Sequence, residues 1–362
     1  MNPPQNRAAP KGCTHERTRT KPDVSVKTFE LTDYGVDNLR RVLRPDESPG
    51  SDEVLLHVRA ISLNYRDLAT IEGSYNRGLN LPAVLIADCA GTILETGANV
   101  HHVKPGDKVM TQYMPDWIDG PYRDEYQRTT LGSPGPGVAA ERVVLPGRAV
   151  LPIPRNYSFA EASTLPIAGL TAWSSLATAG PLEGKTVVVL GTGGVSIFGL
   201  QLATAMGAQV VVTSKSDEKL ARARELGAAL TVNYVDEPDW HRPIREFTGG
   251  SGADLILEAG GSGTLPHSIK ATRSGGVIAL FGVLTGGAGE IETRALLSRR
   301  ITIAGIYVDS RSHFDDLVSF LNTHEIRPVI GAEFPFEQLP DALRMMRAAD
   351  HFGKIVIHGP AD

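Results

Sequence analysis

A chain of 362 residues exceeds what one ordinary hydrophobic core supports, so it divides into two domains. Hydrophobic residues make up 41% and charged residues 21%, the profile of a globular protein in water, which excludes disordered and fibrous classes. A net charge of −5 argues against general affinity for nucleic acid or an anionic membrane surface. No apolar run reaches the roughly 18 residues of a membrane span.

Residues 1–23 are polar, with Arg7, Lys11, Arg17, Arg19 and Lys21 and no signal-peptide core. They read as a flexible tail, an organelle-targeting segment being the alternative. From 24 to 155 the sequence is rich in strands and turns. Stretches 53–61, 88–97 and 103–110 read as strands, the last entered through the Pro105-Gly106 turn. Segments 143–146 and 151–154 carry proline and read as short edge pieces. Between them, 113–137 holds Tyr113, Trp117, Tyr122 and Tyr126 among prolines and glycines. It is too long for a hairpin turn and reads either as a lid over a substrate or as variable surface. Cys13 and Cys89 stand in unrelated contexts and offer no disulfide framework, which suits a reducing, cytoplasmic setting.

From 156 to 310 strands alternate with helices, which predicts a parallel sheet covered on both faces. The β-branched run 186–190 leads into Gly191, Thr192, Gly193, Gly194, Val195 and Ser196, and an apolar helical stretch follows from 197 to 206. Closely spaced glycines let backbone approach a pyrophosphate, and the helix start supplies N–H groups and positive dipole to hold it. Ser196 replaces the third glycine of the fingerprint and is small enough for close packing. A second strand at 209–214 completes the βαβ unit. Where an NAD site places a carboxylate, this chain has Thr213, Ser214, Lys215 and Ser216, with Lys219 a turn further on. Hydroxyls and ammonium groups favour a 2′-phosphate, so the cofactor is read as NADPH. The bland alternative is that Lys215 and Lys219 are solvated helix-start lysines. A helix is predicted at 217–228 with Ser216 as N-cap, and buried strands at 255–259, 276–282 and 301–307. Residues 311–362 return to mixed structure, with helices at 313–322 and 338–349. A final strand at 354–358 is expected to rejoin the first domain.

These motifs resemble the medium-chain dehydrogenase/reductase superfamily, specifically its zinc-independent quinone-oxidoreductase-like branch. The matching stretches are Ser-Leu-Asn-Tyr-Arg-Asp-Leu at 62–68, Ala-Asp-Cys-Ala-Gly at 87–91, Lys-Pro-Gly-Asp-Lys-Val at 104–109, Leu-Pro-Ile-Ala-Gly-Leu-Thr-Ala-Trp at 165–173, the glycine turn, and Phe-Gly-Lys-Ile-Val at 352–356. The resemblance implies an α/β protein in which a GroES-like catalytic domain (24–155 and 311–362) is interrupted by a Rossmann domain (156–310). It also implies a homodimer joined along the Rossmann-sheet edge near 301–307.

Zinc-dependent members carry metal ligands at positions that here read Asn64-Tyr65 and Ala87-Asp88, and four cysteines in a loop that here has none. No metal is expected. Without a Lewis acid, a conjugated C=C–C=O or a quinone is an easier hydride acceptor than a simple alcohol–ketone pair. The resemblance assigns Tyr65 to polarising the substrate carbonyl or giving it a proton, with Asn64 donating to the same oxygen and Asp67 orienting neighbours. Tyr65 packed at a strand end with its hydroxyl tied to backbone is the competing reading. Thr171 matches a position near the nicotinamide, or is a helix Thr bonded back to a carbonyl. Ser214, Lys219 and Tyr234 match 2′-phosphate ligands. Gly282, Val283, Leu284, Ile306 and Tyr307 match strand ends flanking the nicotinamide, and Gly353 and Lys354 a segment reaching the cofactor. The expected substrate is a small hydrophobic carbonyl or quinone, bounded by Tyr113, Trp117 and Tyr122. Carbonyl reduction without zinc and a non-catalytic NADPH-binding sensor are the alternatives.

Overall fold

The structure, a computed structural model, describes residues 20–75 and 78–360. It opens on a hairpin of β1 (Thr20–Leu31) and β2 (Leu39–Glu47). β1 starts inside the stretch expected as tail, with Thr20 and Lys21 paired to Glu47 and Asp46. Backbone pairing makes no demand on side-chain polarity, so a polar hairpin end and a coil look alike in sequence. The rest of that tail, 1–19 with Cys13, lies outside the described residues. The chain continues through β3 (Glu53–Ser62), α1 (Tyr65–Ile71), β4 (Asp88–Thr96), β5 (Lys108–Thr111), β6 (Arg142–Pro146), β7 (Val150–Pro152) and α2 (Phe159–Ser163). A π turn at Leu165–Gly169 leads into α3 (Leu170–Ala177). The alternating unit is β8 (Thr186–Leu190), α4 (Gly194–Ala205), β9 (Gln209–Ser214), α5 (Asp217–Glu225), β10 (Leu230–Asn233), α6 (His241–Phe247), β11 (Ala253–Glu258), α7 (Leu265–Ala271), β12 (Thr272–Leu280), α8 (Thr293–Arg299) and β13 (Thr302–Gly305). Then α9 (Arg311–Thr323), β14 (Ile330–Phe334), α10 (Leu339–Ala348) and β15 (Lys354–His358) bring the chain back.

The fold is α/β, with a GroES-like β-rich unit and a Rossmann-like unit. In the first, strands run in the order β14-β15-β3-β4-β5-β7. One edge of β3 is shared: residues 53–57 pair with β6, and 60–62 pair with β15. The last strand thus rejoins the first sheet, as the sequence predicted. The second unit has the order β10-β9-β8-β11-β12-β13, all parallel. Strand order reverses between β8 and β11, the switch point where such sheets bind ligands. β13, the predicted edge strand, is an edge.

The central strands read as unbroken apolar runs because both faces are covered. Val188, Val211, Ile256 and Ile278 face the side covered by Trp240, Ile244, Leu265 and Ile269. Val187, Val189, Val212 and Leu257 face the other side, in a core that continues through α3 and α9 into the β-rich unit. No helix among the described residues is long and apolar enough to cross a membrane.

Candidate active site

The helix after the glycine turn starts at Gly194, three residues earlier than the apolar pattern predicts, with Gly193 as N-cap. Gly191 has φ +76°, a conformation glycine adopts freely. Nothing lies within 4 Å of where a Cβ on Gly191 or Gly193 would sit, so the turn faces open space. The first-turn N–H groups of α4, those of Gly194 and Val195 among them, have no acceptor within the helix. An open turn beneath a helix start fits a dinucleotide pyrophosphate. Ser196 is buried and adds a hydrogen bond to the close packing expected of it. Its Oγ donates to the Leu190 carbonyl at 2.7 Å and ties helix to strand. Gly199 is a second close approach, where a Cβ would stand 2.5 Å from Leu257 Cδ2.

Ser214, Lys215, Lys219 and Tyr234, expected to face a 2′-phosphate, lie at or near the carboxyl end of β9. Ser214 is buried and its Oγ accepts from the Ser216 N–H at 3.3 Å. Ser216 caps α5, its hydroxyl accepting from the Lys219 N–H at 3.3 Å. Lys215 is exposed, and the Lys219 ammonium donates to the Ala349 carbonyl at 2.8 Å. Tyr234 stands beside them, its N–H bonded to the Ser214 carbonyl at 3.1 Å and its side chain exposed. Ser214, Lys215, Lys219 and Tyr234 thus all lie at or beside the carboxyl end of β9, with no carboxylate among them.

The two units are stitched at this turn. The Gly353 N–H donates to the Thr192 carbonyl at 2.9 Å, and Gly193 and Gly353 form a parallel bridge. Gly353 has φ +75°, and a Cβ there would lie 2.2 Å from the Val329 carbonyl oxygen. The stem of Lys354 passes Gly194, where a Cβ would meet its Cδ at 2.5 Å.

The Lys354 ammonium ends in a buried polar cluster. It donates to the Leu63 carbonyl at 2.6 Å and to Asn64 Oδ1 at 2.7 Å. Asn64 Nδ2 donates to Asp88 Oδ2 at 2.8 Å, which also accepts from the Ile167 N–H of the π turn at 3.2 Å. Asp67 accepts from the Asn64 N–H at 2.9 Å and from Arg66 at 3.1 Å. Asp88 Oδ1 is buried without a hydrogen-bond partner. Burial pushes the Asp88 carboxyl up, to about 7, against the pull of Lys354. Burial likewise pushes Lys354 down, to about 8, against the pull of Asp88 and Asp67.

Beside the cluster, Tyr65 begins α1 with its side chain 52% exposed, available to a ligand. Thr171 is buried in α3, its carbonyl accepting from Ser175 Oγ at 2.7 Å. Gly282, Val283 and Leu284 follow β12, with Val283 and Leu284 exposed. Ile306 and Tyr307 follow β13. Tyr307 Oη lies 2.8 Å from Tyr75 Oη and 3.3 Å from Tyr113 Oη. Trp117, Tyr122 and Tyr126 stack into one cluster, and Tyr122 meets the Tyr307 ring edge-on at 6.1 Å. The aromatic loop therefore forms a wall against the β13 strand end. Burial pushes the Tyr113 phenol up to about 12, and burial together with Tyr113 raises Tyr307, so both are neutral O–H donors near pH 7. Arg66 supports this wall, its guanidinium 5.4 Å from the Tyr75 ring centre and 5.3 Å from that of Tyr113. Tyr75 and Arg66 were not legible as site residues in the sequence. Asp88 carries one signal, an acid set within an apolar strand.

The donor set does not fit a catalytic zinc. The two stretches where zinc-dependent members carry ligands meet at the Asn64–Asp88 bond, without thiolate or imidazole. Asn64 Oδ1 is already held by an ammonium. The chain supplies its own cation at this place.

Residues 50–155 match the alcohol dehydrogenase GroES-like domain, and 194–323 match the zinc-binding dehydrogenase domain. A zinc-type alcohol dehydrogenase-like protein of Schizosaccharomyces pombe is 40% identical over 87% of this chain and 94% of its own. The 2-methylene-furan-3-one reductase of Solanum lycopersicum is 30% identical over 92% of this chain and 79% of its own. The crystal structure of an NAD-dependent alcohol dehydrogenase superposes with a TM-score of 0.84, at 32% identity over 92% of this chain and 99% of that one. A GroES-like sheet stitched to a dinucleotide fold defines a nicotinamide-dependent oxidoreductase. The chain belongs to the medium-chain dehydrogenase/reductase superfamily.

Proposed function

We propose that this chain is an NADPH-dependent, zinc-independent reductase of an activated C=C bond in an α,β-unsaturated carbonyl, or of a quinone. The observation that carries the reading is the Lys354 ammonium, held by Asn64 where zinc-dependent members bind their metal. Bound NADPH would supply hydride to the electron-poor carbon. The glycine turn and the α4 start hold the pyrophosphate, and Ser214, Lys215, Lys219 and Tyr234 hold the 2′-phosphate. Tyr65 donates a hydrogen bond to the substrate carbonyl oxygen, where negative charge builds as hydride adds. The aromatic wall from Tyr113 to Tyr307 excludes water from the reacting face. The open edge of β13, with Ile291 and Leu297 exposed nearby, supports a homodimer.

Metal-stripped protein given NADPH and a conjugated enone is expected to yield the saturated ketone. Allylic alcohol as the product establishes carbonyl reduction instead, and NADPH binding without consumption across an acceptor panel establishes a sensor. Tyr65→Phe is expected to lower kcat/KM by about tenfold or more while leaving the NADPH Kd unchanged. An unchanged kcat/KM removes Tyr65 from the chemistry.

A further inference from the structure

On the face of the Rossmann sheet covered by α6 and α7, two histidines meet. His241 opens α6, His267 lies in the first turn of α7, and their Nδ1 atoms are 3.1 Å apart. Asp239 Oδ1 is 4.0 Å from His241 Nδ1. One ligand atom from each of the three residues lies within 4.8 Å of the others. Two imidazole nitrogens bound to one tetrahedral zinc at about 2.0–2.1 Å stand about 3.3 Å apart, close to the spacing here. The geometry points to a three-ligand site for a zinc-class divalent transition-metal ion, formed by Asp239, His241 and His267, with solvent in the remaining position.

The rings are already positioned. His267 packs against Trp240 with ring centres 5.7 Å apart, and the two imidazoles tilt together at 5.3 Å. The His241 side chain is 13% exposed and that of Asp239 45%, so the ligands form a shallow pocket more open on the acid's side. In the Nδ1···Nδ1 bond one ring carries its proton on Nδ1. Metal capture moves that proton to Nε2 of the same ring, so both histidines bind neutral and no net proton leaves. Arg242 holds the other Asp239 oxygen at 2.9 Å, which orients the carboxylate and weakens its pull on a cation.

The site is separate from the Lys354 cluster and takes no part in hydride transfer. Both helices follow strands of the parallel sheet, so their starts lie on its carboxyl-end rim, as the dinucleotide turn does. A bound ion ties the segment after β10 to the segment after β11.

The test uses the untagged full-length protein with Co²⁺ as the optical probe and Zn²⁺ as competitor. One Co²⁺ per chain, with d–d bands of a low-coordinate nitrogen–oxygen site and displacement by micromolar Zn²⁺, is the expected result. His241→Gln and His267→Gln are each expected to weaken Co²⁺ binding at least tenfold. Because His267 packs on Trp240, a second measurement needs no histidine variant: Ni²⁺ is expected to quench Trp240 fluorescence in the native protein, and Trp240→Phe is expected to lose that quench. Binding only at millimolar metal, or binding unchanged in the His241→Gln/His267→Gln double variant, overturns the proposal.

Discussion

Lys354→Met is expected to lower unfolding stability by about 3–5 kcal/mol at a pH near 7.5, read from urea denaturation. The variant keeps the bulk of the stem but leaves Asp88 buried with no facing cation, and Asp67 with Arg66 alone. Adding Asp88→Asn should restore part of the loss, because a neutral amide can keep the Asn64 contact without a buried charge. The pH dependence has a definite sign. Asp88 rises from 3.8 to about 7 on folding, so its contribution is present below 3.8 and lost as pH rises through 7. Lys354 falls from 10.5 to about 8, so its contribution is present above 10.5 and lost as pH falls through 8. The cluster is weakest between about 7 and 8, and the double variant flattens that trough. A Lys354→Met protein as stable as the parent at pH 7.5 would show that the ammonium does not balance these carboxyls.

Ser214→Asp carries the second large effect. A carboxylate at the carboxyl end of β9 would face the 2′-phosphate across the corner that Lys215, Lys219 and Tyr234 define. The NADPH KM is expected to rise by roughly tenfold to a hundredfold, the range of one charged hydrogen bond lost, while the NADH KM stays within a fewfold. Lys219→Ala should move NADPH in the same direction by a smaller factor, because the Lys219 ammonium also donates to Ala349 in the free protein. Steady-state kinetics with both cofactors separates this from a general loss of fold. Equal changes for NADH and NADPH would end the phosphate reading.

What the sequence made legible follows the range of the interactions. The strand–turn–helix at β8 and α4 declares itself locally, through a β-branched run, glycines and an apolar helix. So do the Ser216 cap and the strand of Lys354. The small size of Ser196 is legible in its letter, whereas the partner of its hydroxyl, the Leu190 carbonyl, is not. The charged cluster joins Asn64 to Asp88 across 24 residues and to Lys354 across 290. No periodicity encodes such a meeting. Family resemblance drew attention to the Asn64 and Asp88 positions as lacking metal ligands, but the meeting of a lysine from the last strand with Asn64 appears only in three dimensions. Tyr75 is similar, reaching Tyr307 from 232 residues away.

The shared edge of β3 sets an order of events during synthesis. Every strand of the parallel sheet lies between residues 186 and 305, so that unit can close while the chain is still being made. The β-rich unit cannot: residues 60–62 of that β3 edge wait for β15, which is made only after the whole parallel sheet. Lys354 arrives on that same strand. The cation therefore reaches Asn64 at the moment the sheet is completed, and until then the Asp88 carboxyl remains free to stay hydrated. A nascent chain halted before residue 354 would hold a finished nucleotide fold beside an unfinished active site.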